Sequence, residues 1–224
     1  MNKLSNFYLP TDMGLFDVEA DQVMYYLYLP VSVPGSSGWA IPDERLFFVI
    51  PLLDAIRSDS EDNYRDSYIY LTVKKMFVGG GVTANRPGWH CDGFMSDDLN
   101  YVWYDCVPTL FTEWKPILSA DHTLSLLELE KMDHWLRCRQ VTYPNKHLLK
   151  LDSNVIHAVD TNIPQQIMRT FVKITVSKDR YNLKDNSKNP LLPDDGPFYD
   201  RTMVRNDPCH AQSDVYKPEQ CEEK

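Results

Sequence analysis

YIYLTVKKM (68–76), closed by Gly79-Gly80-Gly81, is the stretch on which the fold turns. Its β-branched and aromatic residues suit a pleated, half-buried surface, and three successive glycines end such a run. Working outward, YVWYDC (101–106), VIHAV (155–159) and RTFVKITVS (169–177) have the same texture, and YYLYLPVSV (25–33) repeats it upstream. Strands of this kind, set between Gly/Pro/Asn/Asp clusters, predict a mainly β protein. Two helical segments interrupt the pattern. Pro42, Asp43 and Glu44 suit a helix N-terminus, and Leu46, Ile50, Leu53 and Ile56 recur at helical spacing, which predicts a helix over 42–57 that kinks or splits near Pro51. Ser125-Leu126-Leu127-Glu128 fits a capping box, with Leu126, Leu129, Trp135 and Leu136 as the apolar side of the helix it would open.

The composition sets bounds. The chain has 224 residues, 43% hydrophobic and 12% aromatic, which suffices for a packed core and excludes wholesale disorder. A formal charge of −9 argues against gripping phosphate backbones and leaves room for a local basic pocket that takes up one anion. The stretch 46–56 is too short to span a bilayer and contains Pro51 and Asp54, so no membrane partner is expected. Cys91, Cys106, Cys138, Cys209 and Cys221 form no CxxC pair, which fits reduced thiols and a cytoplasmic location. The expected organisation is one domain over 1–177, with its core at about 68–177 and an N-terminal elaboration. An irregular extension over 178–224 would wrap the domain, since it holds five of the fifteen prolines and its large apolar residues come singly or in pairs.

The chemistry points to His90-Cys91-Asp92, His157 and Arg169. In a strand, residues two apart share a face, so His90 and Asp92 can aim an imidazole nitrogen and a carboxylate oxygen at one point, with His157 brought alongside from a distant strand. Two histidines and one carboxylate leave open positions on a metal, which suits Fe(II). With 6 His in the chain, about 0.6 HxD dyads arise by chance, so the dyad gains meaning only from its company. Arg169 supplies that. It opens a strong strand twelve residues beyond His157, and a guanidinium held in an apolar strand wants a carboxylate for its fork. Trp89, Phe94, Tyr101 and Trp103 cluster around the dyad; Tyr101 and Trp103 read as core. Cys91 would point away from the metal and pack. His122, His134, His147 and His210 lack partners at ligand spacing, and Arg201 and Arg205 read as solvated charge.

In WHCDGF (89–94), LDSNVIHAV (151–159) and RTFVKITVS (169–177), the order HxD…H…R resembles the 2-oxoglutarate-dependent Fe(II) dioxygenase family over residues 68–177. The resemblance implies a double-stranded β-helix, a jelly roll with the metal near one open end. It implies His90, Asp92 and His157 as the catalytic iron ligands and Arg169 as the holder of the distal carboxylate of 2-oxoglutarate. O₂ would be consumed, 2-oxoglutarate decarboxylated to succinate, and a substrate hydroxylated. Many members carry Ser or Thr two residues after the arginine, where this chain has Phe171, and Thr170 would face the other side of an ideal strand. The substrate expected is a small molecule or an amino-acid residue, with a nucleotide or nucleobase as a further option, and the oligomeric state is unknown from sequence. Two rivals stand beside this reading. One is a zinc-dependent hydrolase on the same triad, with Asp97 or Asp98 as its base. The other is a non-catalytic jelly-roll binding module.

Overall fold

The computed structural model describes residues 9–59, 64–193 and 196–200. Its backbone is a pair of eleven-residue strands, β3 (Tyr68–Val78) and β9 (Ile167–Ser177), antiparallel along their whole length from Tyr68↔Ser177 to Val78↔Ile167. Around them β1 (Thr11–Leu15), β2 (Met24–Ser32), β4 (Leu99–Tyr104) and β7 (His147–Leu151) complete a six-stranded antiparallel sheet, ordered β1-β7-β4-β9-β3-β2. A second sheet has three short strands, β5 (Leu110–Thr112), β6 (Gln140–Val141) and β8 (His157–Ala158), ordered β6-β5-β8. The described chain is mainly β, as the sequence predicts.

The period of two in β3 and β9 decides what each face of the large sheet does. Ile69, Leu71 and Val73 of β3 and Val172, Ile174 and Val176 of β9 turn to one side, joined by Tyr101 and Trp103 of β4. A 3₁₀ turn (Glu44–Val49) runs into α1 (Ile50–Asp59), whose Leu52, Leu53 and Ile56 cover that side. Each of these helix side chains is fully buried, which stabilises the docking by about 1.5–3 kcal/mol apiece. The helix type changes directly before Pro51, where the sequence predicts a split. Asp43 caps the 3₁₀ turn by accepting from the Arg45 amide at 3.0 Å.

On the opposite face, Val102, Tyr104, Leu149, Leu151 and Phe171 pack against Phe111 of the small sheet. The outer side of that sheet is covered in turn by α2 (His122–Lys131) and α3 (Asp133–Cys138), through Leu129 and Leu136. The predicted capping box is not the one used. Asp121 is the N-cap, accepting from Leu124 N at 2.8 Å, while Ser125 lies inside the helix with its hydroxyl donating to the His122 carbonyl at 2.8 Å. A serine satisfied by its own preceding turn has no need of an end position. Glu128 still reaches back, to the Ser119 amide at 2.8 Å. Trp135 is 57% exposed instead of on the apolar side. The strand expected over 155–159 is only two residues long in β8, because its partner β5 is itself short.

Beyond β9 the chain follows β2. Leu27 N donates to Ser187 Oγ at 2.9 Å and Ser187 N to Leu27 O at 2.7 Å, while the Asn189 amide donates to the carbonyls of Pro30 and Ala40, both at 2.7 Å. Arg201, Arg205, Cys209, His210 and Cys221, named from the sequence, lie outside the described residues. Among the described residues, no helix is long and apolar enough to cross a membrane.

Candidate metal centre

His90 and His157 face each other as a single antiparallel bridge. His90 N donates to His157 O and His157 N to His90 O, both at 2.9 Å. A reciprocally bonded pair puts its two side chains on one side of the ladder, and the rings lie with centroids 4.5 Å apart. Each ring is tied back in the same way, Nδ1 to the carbonyl two residues upstream: Gly88 for His90 at 2.9 Å, Val155 for His157 at 3.0 Å. A carbonyl only accepts, so both Nδ1 atoms carry a proton and Nε2 is the atom that each ring has left for a ligand. Burial, then the neighbouring His157, pushes His90 down to about 4 against the pull of Asp92, so its ring is neutral at ordinary pH.

Asp92 completes the group, although no strand continues to it. It stands at the head of a turn in which Ser96 N and Oγ both donate to the Gly93 carbonyl, at 2.9 and 2.7 Å. Gly93 has φ +64, and a Cβ there would meet Ser96 Oγ at 2.8 Å and Asp98 Cβ at 3.0 Å, so this turn requires glycine. One ligand atom from each of His90, Asp92 and His157 lies within 4.8 Å of the other two. His157 Nε2 is 3.5 Å from Asp92 Oδ2. The sequence-predicted triad is therefore brought together by the fold.

Lys173 is a member of this centre that the sequence reading missed. Its buried ammonium donates to Asp92 Oδ2 at 3.1 Å and to Tyr28 Oη at 3.2 Å. Burial alone would raise the Asp92 carboxyl; the Lys173 charge, then the hydrogen bond and charge of His157, overcome it and hold Asp92 well below the usual carboxylate range. For Lys173, burial pulls downward, and Asp92 followed by Tyr28 outweighs it. Tyr28 takes its place from a bulge in β2, with φ +47 and its amide on Thr72 Oγ1 at 3.0 Å. Tyr181 abuts it edge-on at 5.1 Å, and donates to Asp98 Oδ2 at 2.5 Å.

The centre opens into a cavity of about 640 Å³ between the two sheets. Thr72, Lys74, Phe171 and Lys173 of the large sheet form one wall, and Tyr181, Leu183 and Asn186 of the chain beyond β9 another. At the mouth are Tyr25, Arg86, Phe94, Met95 and His122, with Phe94 and His122 in ring contact at 5.8 Å. Tyr101 and Trp103 are core, as their strand pattern predicts, and Trp89 is core too, donating to Asp133 at 3.0 Å. Cys91 packs with Trp89 and Ile156, and burial, then Asp92, raises its thiol to about 12. His147 pairs with Asp12, and His134 contacts Cys138.

Arg169 lies apart from this cavity. It is 4% exposed, with Nε donating to the Cys106 carbonyl at 3.1 Å and its guanidinium against the rings of Phe171 (5.0 Å) and Tyr104 (5.7 Å). It lines a narrow recess with Val78, Val82, Val107 and Ile163, and Val159 borders both this recess and the cavity. Among the described residues no carboxylate stands within ion-pair distance of it, and burial lowers it to about 10. Lysines inside apolar alternation, Lys173 between Val172 and Ile174 above all, are the signal that would have found the missed wall residues. No family model matches the chain, and no curated protein is significantly similar to it.

Proposed function

We propose that the chain is an Fe(II)- and 2-oxoglutarate-dependent dioxygenase, built on a double-stranded β-helix. The observation that carries this reading is the convergence of two Nδ1-anchored histidines and an ionised aspartate at the inner end of a cavity with cationic walls. The donor set suits Fe(II): two neutral imidazoles and one carboxylate, with the cavity side left for further ligands. When bound, iron and 2-oxoglutarate supply the oxidising chemistry, in which O₂ is consumed, 2-oxoglutarate gives succinate and CO₂, and a substrate C–H is hydroxylated. His90, Asp92 and His157 hold the metal. Gly88 and Val155 fix the tautomer of the two histidines, and Lys173 keeps Asp92 ionised and in place. Lys74, Arg86 and Arg169 favour an anionic cosubstrate.

The jelly-roll reading draws support from strand order. The chain runs β3 in the large sheet, the His90 segment against β8 in the small one, β4 large, β5 and β6 small, β7 large, β8 small, β9 large. This repeated passage between two antiparallel sheets is what a jelly roll requires. The aromatic and polar mouth suits a small molecule or an amino-acid residue, and its rings also accept a nucleobase. Free thiols at Cys91, Cys106 and Cys138 fit a reducing, cytoplasmic setting. A zinc hydrolase is less well served: Asp97 and Asp98 do not line the cavity, and Asp98 is engaged by Tyr181.

The test is anaerobic addition of Fe(II) and 2-oxoglutarate to the purified protein, followed by the weak visible metal-to-ligand charge-transfer band. The wild type should develop the band and His157→Ala should not. A folded wild type with no band overturns the dioxygenase reading, and bound zinc would then favour the hydrolase.

A further inference from the structure

We infer that Lys74, rather than Arg169 alone, anchors the distal carboxylate of the cosubstrate; this rests on the dioxygenase reading above. Lys74 and Phe171 are direct cross-strand partners in the β3–β9 register, and Thr72 and Lys173 are the next pair along the same face. Phe171 occupies the position two residues after Arg169 and offers no hydrogen bond. Lys74 stands opposite and supplies one.

The surroundings of Lys74 are those of a cation awaiting an anion. Lys74 lines the cavity, and its ammonium donates to two neutral oxygens, Ala84 O and Asn85 Oδ1, both at 2.8 Å. An ammonium has three N–H groups, so one remains for a ligand. Among the described residues no carboxylate lies within ion-pair distance, and the Tyr25 ring at 5.5 Å is the aromatic neighbour. Burial, then the charges of Lys173 and Arg169, depresses Lys74 to about 8. A buried cation depressed by two other cations is relieved by a bound carboxylate.

Reach points the same way. A step of two residues along a strand is about 7 Å and of four about 13 Å. Lys74 is one such pair-step from the Lys173 level of the metal centre, and Arg169 is two. The carboxyl carbons of a five-carbon dicarboxylate are about 5 Å apart when extended. With one end at the triad, the other comes level with Lys74, while Arg169 lies beyond Phe171 in its own recess.

The experiment titrates the anaerobic charge-transfer band with 2-oxoglutarate and, separately, with 2-oxopentanoate, which has a methyl group in place of the distal carboxylate. Wild type, Lys74→Met, Lys74→Arg and Arg169→Met are compared, with thermal melts of the metal-free proteins as a folding control and Lys74→Gln as the substitute if the methionine variant does not fold. Lys74→Met should weaken 2-oxoglutarate at least about tenfold, the loss of one charge-assisted hydrogen bond. It should leave 2-oxopentanoate within about threefold, and Lys74→Arg should recover most of the preference. The metal-free Lys74→Met protein should melt no lower than wild type. If Lys74→Met keeps the full preference for the dicarboxylate while Arg169→Met loses it, Arg169 is the anchor and the inference is wrong. Absence of the band in wild type with either acid instead removes the dioxygenase reading itself.

Discussion

Lys173 occupies an interior strand position with only 9% of its surface exposed. What makes this tolerable is Asp92, whose carboxylate is fully engaged only because the ammonium is there. Removing one partner of a buried pair leaves the other uncompensated, at a typical cost of about 3–5 kcal/mol. Lys173→Met should therefore destabilise the metal-free protein by about 3 kcal/mol, seen as a lower melting temperature. A divalent cation at the triad replaces the missing positive charge. Added anaerobic Fe(II) should accordingly raise the melting temperature of Lys173→Met by more than it raises that of wild type. Equal increments in the two proteins would mean that Lys173 does not act through Asp92.

At the scale of elements, the end of β3 is fixed by contact with the β8–β9 connection. Gly79 has φ +97, and a Cβ there would lie 2.3 Å from the Gln165 carbonyl oxygen and 2.8 Å from Ile163 Cγ2. Gly80 N donates to Ile163 O at 2.9 Å, so the two segments are already in contact through backbone. A backbone oxygen cannot swing aside as a side chain can. Gly79→Ala should cost about 2–4 kcal/mol by denaturant titration, and a loss under 1 kcal/mol (about the effect of an ordinary surface change) would show that the connection yields. The glycine run was readable as the end of a strand, because three successive glycines cannot continue one; that it meets the β8–β9 connection depends on register, which no local pattern carries. The same division holds elsewhere. β3, β4 and β9 were legible because they alternate β-branched and aromatic residues. β7, with HLLKL buried on both faces, lacks alternation, and β5 and β6 are too short to show any. For the centre, His90, Asp92 and His157 followed from spacing, while Arg169, expected beside them, lies in a separate recess. Lys74 and Lys173 did not, since their arrival on one wall depends on the pairing of β3 with β9.

Across the whole molecule, charge is unevenly placed. The chain carries −9, yet the charged side chains lining the cavity are Lys74, Arg86 and Lys173 against Asp92 and Asp121. Such a field draws a small anion inward while the surface repels polyanions. The opposite case stands where β9 ends: Asp179 is half-buried, and burial, then Asp98 and Asp97, raises it from 3.8 to about 6. The folded state thus holds a proton there that the unfolded state has already lost. The associated stability is present below about pH 4 and disappears as pH rises through 6. Asp179→Asn should melt higher than wild type at pH 7 and equal to it at pH 4. The difference should be under about 1 kcal/mol, because solvent screens a half-exposed group. A gap of the same size at both pH values would exclude this origin.

The cavity wall supplied by Tyr181, Leu183 and Asn186 has a consequence for the order of events during synthesis. The three ligand residues have all been incorporated once residue 157 has been added. Strand β2 has been made long before, and Leu27 must wait 160 residues for Ser187. Contacts of such long range form late. A released chain that ends short of Tyr181 would thus carry all three ligands without this enclosure, and would offer its histidines and aspartate to open solvent and to whatever divalent cation arrives first.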